Sequence, residues 1–249
     1  MYTKSQVRIA SVLGAFIWIA IFTLILNDGG VAATMFFDMA SSTFIYPFTI
    51  QNLMWLMFFI GSGELYYRYL VSTVDIRDLD QGYLLEGQGL FYNKEALTAV
   101  MAKVHDKKGR LPHLIQALFM RYQASQKSTD ETHQMLNSQL EMMQFKLDVD
   151  YNMIRYIAWF IPTLGFIGTV VGISEALAYA GIPGKAEGDM FLSELTTKLA
   201  VAFDTTLVAL IMSAVLVYLM HLIEGREESI VQRCGEYCLN NFINRLISK

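Results

Sequence analysis

Charge is what this sequence has least of. Asp, Glu, Lys and Arg make up 17% of its 249 residues, against roughly 25% in an ordinary soluble domain, which argues against a soluble enzyme. Two cysteines cannot build a disulfide framework. Cys234 and Cys238 lie four apart with no further ligands beside them, so they read as reduced, partly buried thiols and not as a metal site. The four histidines, His105, His113, His133 and His221, show neither metal nor triad spacing. There is no Walker loop, dinucleotide fingerprint or nucleophile elbow. Neither an enzyme nor a cofactor is expected, and a net charge of -4 gives no reason to expect nucleic acid.

Apolar residues, in contrast, make up 54% of the chain. They gather into four runs of the roughly 20 residues that a helix needs to cross a bilayer: Ile9 to Leu26, about Phe44 to Gly61, about Ile154 to Leu177, and about Leu199 to Ile223. The second is interrupted by Pro47, Gln51 and Asn52. The alternating segments of a transmembrane barrel are absent. The expected fold is an all-α integral membrane protein with four transmembrane helices and a helical cytoplasmic domain. Its expected divisions are 1–8 (cytoplasmic), 9–62 (helices one and two), 63–153 (cytoplasmic helical domain), 154–223 (helices three and four) and 224–249 (cytoplasmic tail).

Lys and Arg set the orientation. Of 19, two precede the first run and eleven lie between Arg68 and Arg155; four follow the fourth run. Only Lys185 and Lys198 flank the turn between the third and fourth. Both termini and the middle block of this multi-pass chain are therefore expected to be cytoplasmic. The 18-residue first run exceeds the 7–15 residues of a signal-peptide core, so it reads as a retained helix.

Within the middle block, Asp75 to Tyr92 carries Gly82, Gly87 and Gly89 and reads as a loop. Lys94 to Val104 suits a short helix, and another runs from near Pro112 to about Gln126. Leu136, Leu140, Met143 and Leu147 mark one helical face. No breaker precedes Pro162, so one helix is expected from about Asp130 into the third span, projecting roughly 35 Å below the membrane. Its face is expected to help hold a ring of subunits together. Arg77, Lys103, Lys107, Lys108 and Arg110 read mostly as a solvated face.

The third run carries Pro162, Gly165, Thr169, Gly172 and Ala176 at spacings of 3, 4, 3 and 4; the fourth carries Ala202, Thr206, Ala209 and Ser213 at 4, 3 and 4. Such stripes let helices approach closely in lipid. Thr169 and Thr206 lie at nearly the same depth from the outer end, with Thr205 beside Thr206 and about 100° around the helix. Hydroxyls at one level could hydrate or coordinate a cation, or could simply bond their own backbones. Asp204 inside the fourth run and Glu175 near the outer end of the third are candidates for a cation-gathering vestibule. No acidic residue stands at mid-membrane in the first two runs, so a carrier carboxylate would come from another polypeptide.

The run Ile161-Pro162-Thr163-Leu164-Gly165-Phe166-Ile167-Gly168-Thr169-Val170-Val171-Gly172-Ile173, together with Ala202-Phe203-Asp204-Thr205-Thr206-Leu207-Val208-Ala209-Leu210, resembles the MotA/TolQ/ExbB proton-channel superfamily. The four-span layout resembles MotA. The resemblance implies a homopentamer around a dimer of a single-span partner similar to MotB, ExbD or TolR, whose aspartate enters the pore. It implies an ion pathway at Thr169, Thr205, Thr206, Asp204 and Glu175, and pore-helix packing at Pro162, Gly165, Gly168, Gly172, Ala202, Ala209 and Ser213. On this reading the small stripes face the axis, spans one and two are peripheral, and ion flow turns one ring against the other to drive an unidentified load. The threonines are closer to ExbB/TolQ and to sodium-type stators than to flagellar proton-type MotA, which leaves H+ and Na+ both open. Two other readings are a non-conducting scaffold acting through its cytoplasmic domain and a secondary transporter. The transporter would favour inverted repeats, and none is found.

Overall fold

The computed structural model describes residues 3–26, 30–38, 45–84, 94–124, 128–182 and 189–246. All regular structure among them is helical: α1 (Lys4–Ile25), α2 (Val31–Phe37), α3 (Ile50–Asp80), α4 (Lys94–Val104), α5 (Arg110–Ala124), α6 (Thr129–Ala180) and α7 (Asp189–Asn241), then a short 3-10 turn at Ile243–Arg245. Thr3 opens α1 with a capping box: its hydroxyl accepts from the Gln6 amide while the Gln6 side chain answers the Thr3 amide.

Three helices, α1, α6 and α7, are long and apolar enough to cross a membrane. The second apolar run does not reach that mark. Its helix starts at Ile50 rather than near residue 44, carries Gln51 and Asn52 in its first turn, and meets Glu64 soon after. The loop expected from Asp75 starts later than anticipated, because α3 continues to Asp80 and is turned off by Gly82 at φ 63°. Gly87, Gly89 and the rest of that stretch to Tyr92 lie outside the described residues. The helix α2 was not anticipated.

The chain divides into two compact units, residues 1–67 with 153–221 and residues 68–152 with 222–249. In the first, α1 stands at the margin. Only 11% of its most apolar stretch is buried, against 33% in α6 and in α7, and Ile9, Leu13, Phe16, Ile17 and Leu24 face outward. It is anchored at one end by buried Glu64, whose oxygens meet Lys4 Nζ at 2.6 Å and Arg8 Nε at 3.0 Å. Along its length an aromatic cluster of Trp18, Phe22, Phe37, Trp55 and Phe59 holds it.

The second unit has an apolar core. Leu111, Leu114, Ile115, Leu118, Phe119 and Tyr122 form the buried stripe of α5, with the periodicity of an amphipathic helix. Leu136 is buried against the same core, and Leu140 and Met143 pack on it. A Cβ added at Gly235 would lie 2.7 Å from Leu140 Cδ1. The α6 face expected to serve a ring is thus covered largely within its own chain.

The second unit also buries charge. Arg68 bonds Glu227 at 2.6 Å and Asp150 at 2.9 Å. Arg110 bonds Glu227 at 2.7 Å and Asp75 at 3.4 Å, while its amide donates to Asp75 Oδ1 at 3.2 Å and so opens α5. The Arg68 guanidinium stacks 4.4 Å from the ring centre of Tyr151. Arg110 is therefore not part of the expected solvated face; Arg77, Lys103, Lys107 and Lys108 are exposed. Burial, only partly offset by Arg110, pushes the Asp75 carboxyl above its ordinary range. Burial likewise pushes the Cys234 thiol up to about 12, and Cys234 and Cys238 are free and fully enclosed.

Candidate functional site

Helices α6 and α7 touch along the two small stripes. A Cβ on Gly165 would collide with Ala209 Cβ, and one on Gly168 with Thr205 Cγ2. One on Gly172 would lie 2.7 Å from Ala202 Cβ. Each is tighter than real carbon contacts, so these three glycines set the helix separation. Where the side chains stop, backbone carbonyls come within reach of the opposite helix.

The two threonines use that reach reciprocally. In a lone helix Thr169 would bond the Gly165 carbonyl and Thr206 the Ala202 carbonyl. Here Thr206 Oγ1 donates to Gly165 O at 2.9 Å, and Thr169 Oγ1 reaches Ala202 O at 3.1 Å, nearer than its own Gly165 O at 3.3 Å. Each hydroxyl takes the carbonyl that belongs to the other's helix, and the two hydroxyls are themselves hydrogen-bonded. Both side chains are half-buried. Two protons serve these three contacts, so one of them is shared between a carbonyl and the facing hydroxyl, and the adjoining oxygens keep lone pairs for a water, a hydronium or a cation.

A second seam bond answers the proline. Pro162 lies inside continuous α6 and has no N–H to give to the carbonyl four residues back. That carbonyl is Ala158, and Ser213 Oγ on α7 donates to it at 2.8 Å. A hydroxyl from a neighbouring helix thus restores the bond that proline removes, as membrane helices require.

Thr205 points elsewhere. It lines a cavity of about 260 Å³ with Thr34, Asp38, Gln51, Glu175 and Lys198 among its other walls. Lys198 Nζ sits 3.4 Å from Glu175 Oε2. Asp204 is half-buried and is not among the residues lining that cavity, so the structure does not bring it together with Glu175. The small stripes close on each other, which leaves Phe166, Ile167 and Val170 of α6 and Phe203, Leu207 and Leu210 of α7 as the exposed apolar surface. That surface, not the stripes, is what the pair offers to anything outside.

Sequence reasoning passed over Gln51 as a mere interruption of a span. Its signal was a polar residue in an apolar helix, where such groups must find a partner. It also passed over the buried ion cluster. The spacing Gly61, Glu64, Arg68, Ser72, Asp75 and Leu79, all buried, traces one face of α3 and could have revealed it.

The model of the MotA/TolQ/ExbB proton channel family matches residues 98–236, and the chain belongs to that family. No curated protein and no solved structure matches it.

Proposed function

We propose that this chain is the pore-forming subunit of an ion-driven complex of the bacterial inner membrane, in which five copies surround two copies of a single-span partner that supplies the pore aspartate. H+ is the first candidate ion and Na+ the second, and their flow is converted into mechanical work on a load. The observation that carries this reading is the reciprocal Thr169–Thr206 contact, inside the family-matched segment. It puts two hydroxyl oxygens at one level without a mid-membrane charge of the chain's own. An aspartate from a partner, placed against these oxygens, could hold or release a proton there.

In this reading α3 is the fourth span and both termini are cytoplasmic. Two observations support α3 in that role. Gln51 and Asn52 are buried, so their amides need not face lipid. From Ile50 to Tyr67 the helix covers about 27 Å, close to the thickness of a hydrocarbon core, and Glu64 at its inner end is neutralised by Lys4 and Arg8. The aliphatic outer face of α1 suits lipid, which makes it peripheral. The cytoplasmic parts are then 63–153, whose first turn at Glu64 to Tyr67 lies at the inner membrane boundary, and 224–249.

The test is ion flux into vesicles bearing the purified complex, with an imposed membrane potential, in Na+ and Na+-free buffers. Valine keeps the shape of threonine and removes the hydroxyl. An interhelical hydrogen bond in a membrane averages about 0.6 kcal/mol, so Thr169→Val and Thr206→Val should assemble normally. If the hydroxyls act on ion transfer, flux falls about tenfold for each 1.4 kcal/mol lost at the barrier. Unchanged flux in both variants would refute the pore assignment and favour a non-conducting scaffold.

A further inference from the structure

Helices α1 and α3 meet closely at one end and part toward the other. A Cβ added to Gly63 of α3 would collide with Ser11 of α1, and one added to Gly14 would lie 3.8 Å from the Phe59 ring. Further along, Trp18 lies against Phe59 and Trp55, with ring centres 5.8 and 5.3 Å away. Helix separation follows the side chains at the contact, and here they grow from glycine to tryptophan. Beside that aromatic wedge lies a cavity of about 730 Å³. Phe16, Ile19, Ala20 and Thr23 line it from α1, and Thr49, Asn52, Leu53 and Leu56 from the start of α3. Both sets follow the i, i+3, i+4, i+7 spacing of one helical face. Two such faces ordinarily interlock; here they line a common space without filling it. Tyr46, Pro47 and Phe48 form a third wall. Phe48 and Leu24 on the walls are 82% and 79% exposed, so the cavity opens to the surroundings of the chain.

Its chemistry selects the occupant. No charged side chain lines it. The polar side chains on its walls are bonded within the chain. Thr23 donates to Ile19 O at 2.6 Å and is joined by the Tyr46 hydroxyl. Thr49 donates to Phe37 O at 3.1 Å, and Asn52 Nδ2 to Pro47 O at 2.8 Å. Asn52 Oδ1 has no partner among the described residues but is enclosed, so it neither wets the cavity nor offers a donor to an anionic group. An apolar cavity stays dry, and leaving it empty would cost its walls their dispersion contacts. Length points to the same occupant. From Phe16 to Leu24 the wall of α1 covers about 12 Å, and one leaflet of hydrocarbon is about 15 Å deep. The wall lies in the half of α1 away from Lys4 and Arg8, which confines it to a single leaflet.

We propose that this cavity between α1 and the start of α3 is a binding site for one acyl chain of an outer-leaflet phospholipid, recognised by its hydrocarbon and not by its headgroup. A lipid chain outside the protein lies against one helical face; a chain in this site is held on three sides and exchanges more slowly. The assignment rests on α1 and the start of α3 lying in the bilayer, as in the reading above, and stands whether or not the Thr169–Thr206 contact conducts.

The experiment is native mass spectrometry of the purified complex, delipidated and then supplied with palmitoyl-oleoyl phosphatidylethanolamine or, separately, with phosphatidylglycerol carrying the same chains. The wild type should retain both lipids to a similar extent. Ala20→Trp and Leu53→Trp, which fill the cavity from opposite walls, should each lower the phospholipid retained per chain at least threefold. Leu13→Trp adds the same bulk to α1 at an exposed position outside the cavity and should leave retention unchanged. The mass of the assembly, read in the same spectra, shows that each variant has folded and assembled. A wild type that retains no phospholipid would overturn the site without recourse to any variant. So would wild-type retention in both filling variants, or an equal loss in Leu13→Trp. A preference of more than threefold for one headgroup would refute recognition by hydrocarbon. Release of subunits by both filling variants, with Leu13→Trp intact, would assign the cavity to a neighbouring copy of the chain and overturn the proposal as well.

Discussion

The two units of this chain solve the same problem, holding long helices together, with opposite chemistry. Residues 1–67 and 153–221 bring α6 and α7 together by removing side chains, at Gly165, Gly168 and Gly172, and hold the seam with neutral hydroxyl-to-carbonyl bonds. Residues 68–152 and 222–249 use an apolar core and a desolvated cluster of Arg68, Arg110, Asp75, Asp150 and Glu227. On the proposed reading, in which the first unit lies in the membrane and the second in the cytoplasm, the difference follows from the solvent each works in. Lipid gives no hydrophobic drive between helices, so contact itself must supply the attraction. In water the hydrophobic effect supplies it, and buried charges then fix geometry more than they add stability.

The comparison can be broken most severely in the second unit. Glu227 is 1% exposed and answers two guanidinium groups, so Glu227→Leu strands both. Removing one partner of a buried ion pair costs about 3–5 kcal/mol. Hydrogen exchange should show α5 and the end of α7 opening while the α6–α7 seam stays protected. Cys234 and Cys238, enclosed and with thiols held protonated in the native chain, should resist maleimide in the wild type and label readily in the variant.

Next comes Gly165→Val in the first unit. Its side chain would drive into Ala209 and part the helices, at about 1–3 kcal/mol for overpacking. The seam should lose protection and the cysteines should stay unlabelled, the mirror image of the first result. If both substitutions opened both units, the two chemistries would not be separable.

Ser213→Ala is subtler. It orphans the Ala158 carbonyl opposite Pro162, at about 1–3 kcal/mol for a buried unsatisfied acceptor. Alanine leaves little void, so the lower end is expected. Pro162→Ala should cancel most of the loss, because the helix then supplies its own donor. A double-mutant cycle on thermal stability measures that rescue.

The smallest effect is a pH dependence confined to the second unit. Asp75 faces Arg110, Asp78 and Glu227, and burial raises its pKa in the fold. The folded state therefore binds the proton more tightly than the unfolded chain. That contribution is fully present below the ordinary carboxylate range near 4 and is lost as pH rises through the raised value. Protection of α5 should decline across that window, and Asp75→Asn should flatten the decline. The part of the seam around Thr169, Thr206 and Ser213, which is held by neutral groups, should show no such slope.

Much of the architecture was legible in local pattern. The bounds of α4 agree with Lys94 to Val104, because a glycine-bearing stretch of sequence and the Asp106-Lys107-Lys108-Gly109-Arg110 turn motif flank a single short periodic run. The continuity of α6 followed from the lack of a breaker before Pro162, and Ser213 explains why the proline itself does not break it. The family could be read from two motifs, since each is a contiguous string.

The amino-acid sequence alone determined the helical class, the apolar runs and the family, because these depend on composition, on periods of three to four residues and on contiguous motifs. Only the tertiary structure decided what those residues meet. It turned the small stripes toward each other, exchanged the carbonyls of Thr169 and Thr206, gave Gln51 to Thr205 and drew Arg110 into a cluster with Glu227. Each of those hydrogen-bonded pairings joins residues 33 to 154 positions apart. No local periodicity records them, because they are chosen by how far two backbones can approach and by the cost of leaving a polar atom unanswered away from water.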